Sequence, residues 1–244
     1  MNPTILRTNA TAVYRFLSII HSRLPEGESL RGRRILDCGA GGRVPPLVIF
    51  AEQGMDCVGI DISAEALSVA RAFSERAGHT IDLKSADMRE LPFPDASFDY
   101  VYEHFSMCHL SKADTATAIG EMRRVLKPGG ISFFGVISSQ SWPLSEYGEE
   151  REPGEFWMIE GSGMARHSLF TDEEAARLLE GWDVVLKERI AFHRGGEELS
   201  EDAWDGLREE WPVPFTASDW KAEYGRRTDF FRYVHAYFVV RKRH

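Results

Sequence analysis

Arg33–Ser63 reads RRILDCGAGGRVPPLVIFAEQGMDCVGIDIS, and its residue types follow the order strand, glycine-rich turn, helix, strand. An apolar pair, Ile35 and Leu36, runs into Asp37. Gly39, Gly41 and Gly42 follow, then Pro45 and Pro46, then a second apolar run that ends at Asp61. Each strand therefore finishes on a carboxylate. Glycines suit the turn because a ligand can lie against backbone that no Cβ obstructs, often at positive φ. The prolines suit the first turn of a helix, where a missing N–H is no loss and φ is already set.

Asp61 lies 22 residues beyond Gly39, about the separation at which a doubly wound nucleotide-binding fold places the acid that accepts from ribose hydroxyls. The dinucleotide fingerprint G-x-G-x-x-G needs a last glycine so that helix and strand pack closely. Counted from Gly39 that position is Val44, which disfavours an NAD-dependent oxidoreductase. Asp37 through Arg43 instead resembles the D-x-G-x-G-x-G signature of class I S-adenosylmethionine (SAM)-dependent methyltransferases. The resemblance implies that Asp37, Gly39, Ala40 and Gly41, with the Gly42 backbone, lie along the methionyl part of SAM, which carries no pyrophosphate. Arg43 stands where the family has its last glycine. The backbone there cannot depend on glycine-only torsions, and the side chain reaches either the cofactor carboxylate or solvent.

Outward from this core, Ser63 is placed to cap a helix over SAEALSVARAFSERAG, with Gly78 as its terminator. A third strand is expected over Thr80–Ser85, ending at Ala86-Asp87-Met88. The segment SADMRELPFPDASFD resembles the family again. It implies that Asp87 accepts from the adenine amino group and that Met88 lines the ring; Ile62, beside Asp61, is a further cofactor-binding candidate. Phe98–Phe105 reads as a fourth strand, apolar as expected for one buried on both faces. It runs into Ser106-Met107-Cys108-His109-Leu110, which resembles the hydrophobic-His-Leu turn of ubiquinone- and menaquinone-biosynthesis-type methyltransferases. In that subgroup this loop is where methyl group and substrate meet. Glu103, His104 and His109 are therefore the catalytic candidates, with Glu103 also at the cofactor; for each, packing or shaping of the loop is the competing reading. A helix over KADTATAIGEMRRVL leads to Lys127-Pro128-Gly129-Gly130, a tight turn before strand ISFFGVIS. This order also resembles the family. The fold implied is α/β: a doubly wound, Rossmann-like, seven-stranded sheet, mostly parallel with its last strand antiparallel, and helices on both faces.

Three segments flank that core. Residues 1–31 form an N-terminal extension in which Val13, Phe16, Leu17, Ile20 and Leu24 make one helical stripe. It reads either as a helix packed on the sheet or as a lid with Tyr14 or Arg7 facing substrate. Residues 32–244 form the main domain, with insertions at about 138–167 and 195–231. The first insertion holds Trp142, Tyr147, Phe156, Trp157 and His167 without clear period; the second holds Trp204, Leu207 and Trp211 at helical spacing. Segments of this kind commonly carry substrate recognition. Between them, Thr171-x-x-Glu174 is a capping box leading into a helix and the strand WDVVLKERIAFH; Tyr233–Arg241 closes the sheet.

A formal charge of −9 and the lack of a long basic run disfavour a phosphate-backbone partner. Three scattered cysteines show neither metal spacing nor a disulfide framework, so no metal and a reducing, cytoplasmic setting are expected. No apolar run is long enough for membrane insertion. The partner expected is a small, partly apolar methyl acceptor, and a homodimer is left open. Methyl transfer needs a general base only where the acceptor loses a proton; His104, His109 and His167 are the imidazoles placed for that. A SAM-binding protein without transferase activity is the alternative.

Overall fold

The computed structural model describes residues 3–42, 45–141, 144–160, 163–194 and 231–243. Arg43, Val44, Trp142 and the Trp204, Leu207 and Trp211 group lie outside the described residues, as does the Arg7 side chain.

The expected strand–turn–helix–strand is present as β1 (Arg34–Cys38), α2 (Leu47–Glu52) and β2 (Asp56–Asp61), preceded by helix α1 (Pro3–His21). Next come α3 (Ala64–Arg76), β3 (Asp82–Ser85), β4 (Phe98–Tyr102), α4 (Lys112–Val125) and β5 (Leu126–Ser138). Ser63 caps α3 by accepting from Ala66 N–H, Ser111 caps α4 by accepting from Asp114 N–H, and Thr171 and Glu174 form the expected capping box. That box opens α5 (Asp172–Arg177), which leads into β9 (Trp182–Arg194); β10 (Phe231–Lys242) ends the sheet.

Strands β3-β2-β1-β4-β5 are parallel neighbours in that order. Beyond β5 the sheet continues through β10, antiparallel to β5, and then β9, antiparallel to β10. This is the seven-stranded core expected. Because β10 runs backwards, its first residues lie at the carboxyl ends of the parallel strands, with His235 opposite Ile137.

Alternate residues of the strands feed two cores, one per face, as period-two geometry requires. Ile35, Tyr100, Tyr102, Phe133 and Tyr237 pack with α1, α2 and α3; Leu36, Val101, Phe134 and Phe238 pack with α4 and α5. The N-terminal stripe is part of the first core. Phe16 is fully buried against Phe50, Tyr100, Tyr102 and Phe133, at ring-centroid distances of 6.1, 6.3, 5.9 and 5.8 Å. Tyr14 is 58 % exposed, and Leu24 lies past the end of α1.

Four details differ from the sequence reading. The 138–167 insertion is a structured ribbon, β6 (Glu149–Glu152), β7 (Glu155–Glu160) and β8 (Gly163–Phe170), so the sheet has ten strands. Its charged β6, Glu-Glu-Arg-Glu, is fully exposed and hides the alternation that marks a half-buried strand. β8 pairs with β5 only at Ile137 and Ser138. β4 stops at Tyr102, short of Phe105, because its neighbour β1 ends beside it, with Asp37 opposite Tyr102. Lys127–Gly130 loops out within the ladder rather than before it: Phe98 faces Leu126 and Tyr100 faces Ile131, with Gly129 at φ 76°.

Candidate active site

The strand order sets four acids side by side. Asp87 follows β3, Asp61 ends β2, Asp37 lies one residue from the end of β1, and Glu103 follows β4. Asp61 is opposite Ser85 in register, and its carbonyl accepts from Ala86 N–H, which holds the Asp87 turn beside it.

The glycine turn spends its own donors. Gly39 and Ala40 N–H both donate to Ile60 O at 2.8 Å, Gly41 N–H to Asp61 Oδ2 at 3.0 Å, and Gly42 N–H to Ala66 O at 3.1 Å. Residues 39–42 therefore offer no free N–H to a phosphate, in contrast to a loop built for anions. At two positions there is no room for a Cβ. Gly39 has φ 102°, and a Cβ there would meet Ser106 Oγ at 1.9 Å; at Gly41 it would meet Asp61 Oδ2 at 2.4 Å. Ala40 is fully buried, backbone included, and its N–H is bonded to Ile60 O, so this predicted cofactor residue is not open to a ligand in this structure.

Asp37 and Glu103 are buried, at 2 % and 0 % exposure. Glu103 Oε1 accepts from Ser106 and Met107 N–H, both at 2.8 Å, and so shapes the loop after β4. Asp37 Oδ2 and Glu103 Oε2 have no hydrogen bond of normal geometry among the described residues. Burial, then the neighbouring Glu103 and Asp61, pushes Asp37 well above the usual carboxylate range. Burial pushes Glu103 up to about 7, against the backbone N–H groups of Met107, Ser106 and Gly135.

Asp61 keeps its place by accepting from Ser63 N–H as well, at 2.8 Å. Next to it Ile62 is 77 % exposed, an apolar side chain on open ground. Asp87 is clasped by Arg89, which donates from its backbone N–H, Nε and Nη2; these bonds hold Asp87 below its ordinary pKa. Arg89 also reaches Asp114 at 3.3 Å. Met88 is half-buried against the α4-side core.

Beyond Glu103, the site wall is aromatic. His104 Nε2 lies 3.1 Å from Tyr237 Oη, and burial pushes its pKa down to about 3. His235, buried and bonded through Nε2 to Tyr233 Oη, is likewise held neutral by burial and by nearby His104. Phe105, at φ 69°, stacks on Tyr233, which stacks on Tyr147. His109 is exposed, with Nδ1 at 3.0 Å from Arg166 O and its ring 5.0 Å from that of His167. Tyr233, His235 and Tyr237 were not among the sequence candidates. Their signal was present: three polar rings at alternate positions of a final strand expected to run antiparallel.

Carboxylates thus stand in a row at the ends of parallel strands in a doubly wound fold, beside a glycine turn whose N–H groups at 39–42 are already bonded within the chain. Residues 36–134 match the family model described as a methyltransferase domain. Over 167 residues the chain is 37 % identical to 24-methylenesterol C-methyltransferase 2 of Oryza sativa subsp. japonica, covering 66 % of this chain and 44 % of that one. It is 29 % identical to 27-O-demethylrifamycin SV methyltransferase of Amycolatopsis mediterranei over 202 residues, covering 80 % and 71 %. In structure it resembles a SAM-dependent methyltransferase of Methanosarcina mazei, with TM-score 0.66 at 21 % identity over 92 % of this chain and 97 % of that one. The chain spans under half the length of the sterol methyltransferases it matches. Its residues 36–134 are thus a methyltransferase domain of the class I SAM-dependent kind, with SAM as that family's methyl donor.

Proposed function

We propose that this chain transfers a methyl group from SAM to a small, at least partly apolar acceptor. The observation that carries the reading is the two buried carboxyls, Asp37 and Glu103, each with one oxygen outside any hydrogen bond of normal geometry among the described residues, beside a turn whose donors at 39–42 are already used. Such a site suits a ligand bearing an ammonium and a sulfonium, not a pyrophosphate. Asp37 and Glu103 would face the methionyl ammonium and the Gly39–Gly41 backbone would flank its chain. Asp61 would accept from the ribose hydroxyls. Each carboxylate oxygen has a second lone pair, so its bonds to Gly41 and Ser63 can persist. Asp87 would accept from the adenine amino group while Arg89 keeps it ionised and aimed, and Ile62 and Met88 would cover the ring.

Bound SAM supplies an electrophilic methyl on a good leaving group. The protein's part is alignment, which supplies on the order of 7–11 kcal/mol in favourable cases. The wall of Phe105, Tyr147 and Tyr233 supports a flat, apolar acceptor, and relatives named for a sterol carbon and a rifamycin oxygen are in keeping with that. His104, neutral across the physiological range, acts as a hydrogen-bonding group rather than a proton acceptor. His109 is better placed as the base for an acceptor that loses a proton. A carbonyl only accepts, so its Nδ1 carries the hydrogen toward Arg166 O, which leaves Nε2 as the ring atom that would take a substrate proton.

The test is calorimetric binding of SAM and NAD, followed by S-adenosylhomocysteine release with a panel of phenolic, carboxylic and amine acceptors. SAM should bind and NAD should not; Asp61→Ala should weaken SAM by about tenfold or more, the loss of one charge-assisted hydrogen bond. Binding of NAD in preference to SAM, or SAM affinity indifferent to Asp61→Ala, would refute the reading.

A further inference from the structure

β10 carries Tyr233, His235 and Tyr237 at alternate positions, so the three rings share one face of the sheet. His104, two residues past Tyr102, joins them there. Its Nε2 lies 3.1 Å from Tyr237 Oη, and its ring centroid lies 6.2 Å from that of His235. His235 Nε2 is bonded in turn to Tyr233 Oη. Each imidazole thus spends the same nitrogen on a phenol and has Nδ1 left over. His235 is 1 % exposed, and its Nδ1 has no hydrogen-bond partner among the described residues.

Where the hydrogens sit follows from the donors available. Tyr237 is buried, and its hydroxyl has one partner among the described residues, His104. Were His104 to donate from Nε2, the hydroxyl hydrogen would be left in the interior without an acceptor, which is costly. The hydroxyl therefore donates to Nε2, and a neutral imidazole must then carry its own hydrogen on Nδ1. Burial holds both rings neutral. The same order follows at His235, because a phenol is the stronger donor and an imidazole nitrogen the stronger acceptor.

We infer that the Nδ1–H groups of His104 and His235 form a two-donor seat for a carbonyl oxygen on the methyl acceptor. This rests on the methyltransferase reading above and gives its acceptor a functional group. One oxygen has two lone pairs, and rings whose centroids lie 6.2 Å apart are within reach of a shared acceptor at ordinary N–H···O lengths of about 2.9 Å. The flat aromatic walls around the seat fit a carbonyl conjugated with a ring. Phe105 lies against both imidazoles, its centroid 4.0 Å from that of His104 and 4.3 Å from that of His235. Its backbone is held at φ 69°, a region that bulky side chains rarely occupy. Backbone strain and a buried N–H without a partner meet at this one place, and the Phe105 ring is the piece that moves aside for a ligand.

The experiment uses the full chain saturated with S-adenosylhomocysteine and two probes of the same shape, acetophenone and ethylbenzene. The ketone should bind about tenfold or more tightly, as expected when a buried donor gains its acceptor. Its C=O stretch should move to lower frequency on binding. Isotope-labelled histidine, read by nitrogen NMR in the wild-type chain, should show hydrogen on Nδ1 of both His104 and His235. His104→Phe should reduce the preference for the ketone and the band shift together. His104→Asn, whose amide NH2 takes the place of Nδ1, should restore part of both, and neither variant should alter S-adenosylhomocysteine affinity. Equal affinities, failure of the ketone to bind, an unshifted band, or hydrogen on Nε2 of His104 overturns the inference and leaves the methyltransferase reading standing. Failure of SAM and S-adenosylhomocysteine to bind at all overturns both.

Discussion

Glu103→Gln should make the protein more stable at alkaline pH, although it removes a group from the site. The fold raises this carboxyl from 4.5 to about 7, chiefly by burial. At about 1.4 kcal/mol per unit, the penalty for ionising it in place is roughly 3 kcal/mol. The folded chain holds the proton more tightly than the unfolded chain, so the stability that this proton contributes is complete below pH 4.5 and is lost as pH rises through about 7. Glutamine never ionises, and its amide oxygen can still accept from Ser106 and Met107 N–H. Relative to wild type, the variant should therefore gain about 3 kcal/mol between pH 4.5 and 8.5. For a chain of this size that corresponds to a melting-point gap opening by roughly 6–12 °C. Thermal melts and urea titrations at half-unit pH steps read the gap directly. Parallel stability curves for the two proteins, offset by a constant amount, would refute the reasoning, because they would show that Glu103 meets the same environment folded and unfolded.

Phe16→Ala removes a fully buried ring that touches four others and should cost about 3–5 kcal/mol in urea unfolding; SAM affinity of the folded variant should be unchanged, whereas a weakened affinity would favour α1 as a lid. Tyr237→Phe deletes the hydroxyl paired with His104 Nε2 and should lower kcat several-fold while leaving the SAM dissociation constant alone. An unaltered kcat would remove the His104–Tyr237 pair from the acceptor side of the site.

What could be read from the sequence was what local physics fixes. Asp37, the glycine turn and Asp61 form one continuous unit, and the reason for Gly41 is found 20 residues away at Asp61 Oδ2, within the same strand–helix–strand element. The caps at Ser63 and Thr171 and the stripe around Phe16 follow from spacing alone. The acceptor side was harder because it is assembled across the sheet. His104 meets Tyr237, 133 residues later, only because β10 enters antiparallel beside β5 and brings its first residues to the carboxyl ends of the other strands. Topology told the direction of that strand; it did not tell that His235 and Tyr237 would face the same neighbour. Electrostatics was harder still. Three acids at strand ends look alike in a sequence, yet Asp87 is neutralised by Arg89 two residues on, Asp61 is held by backbone N–H groups, and Asp37 has an oxygen with neither. The difference lies in what each carboxylate is buried beside, and that is why the residue the motif makes most familiar, Asp37, is also the one whose charge state the motif leaves open.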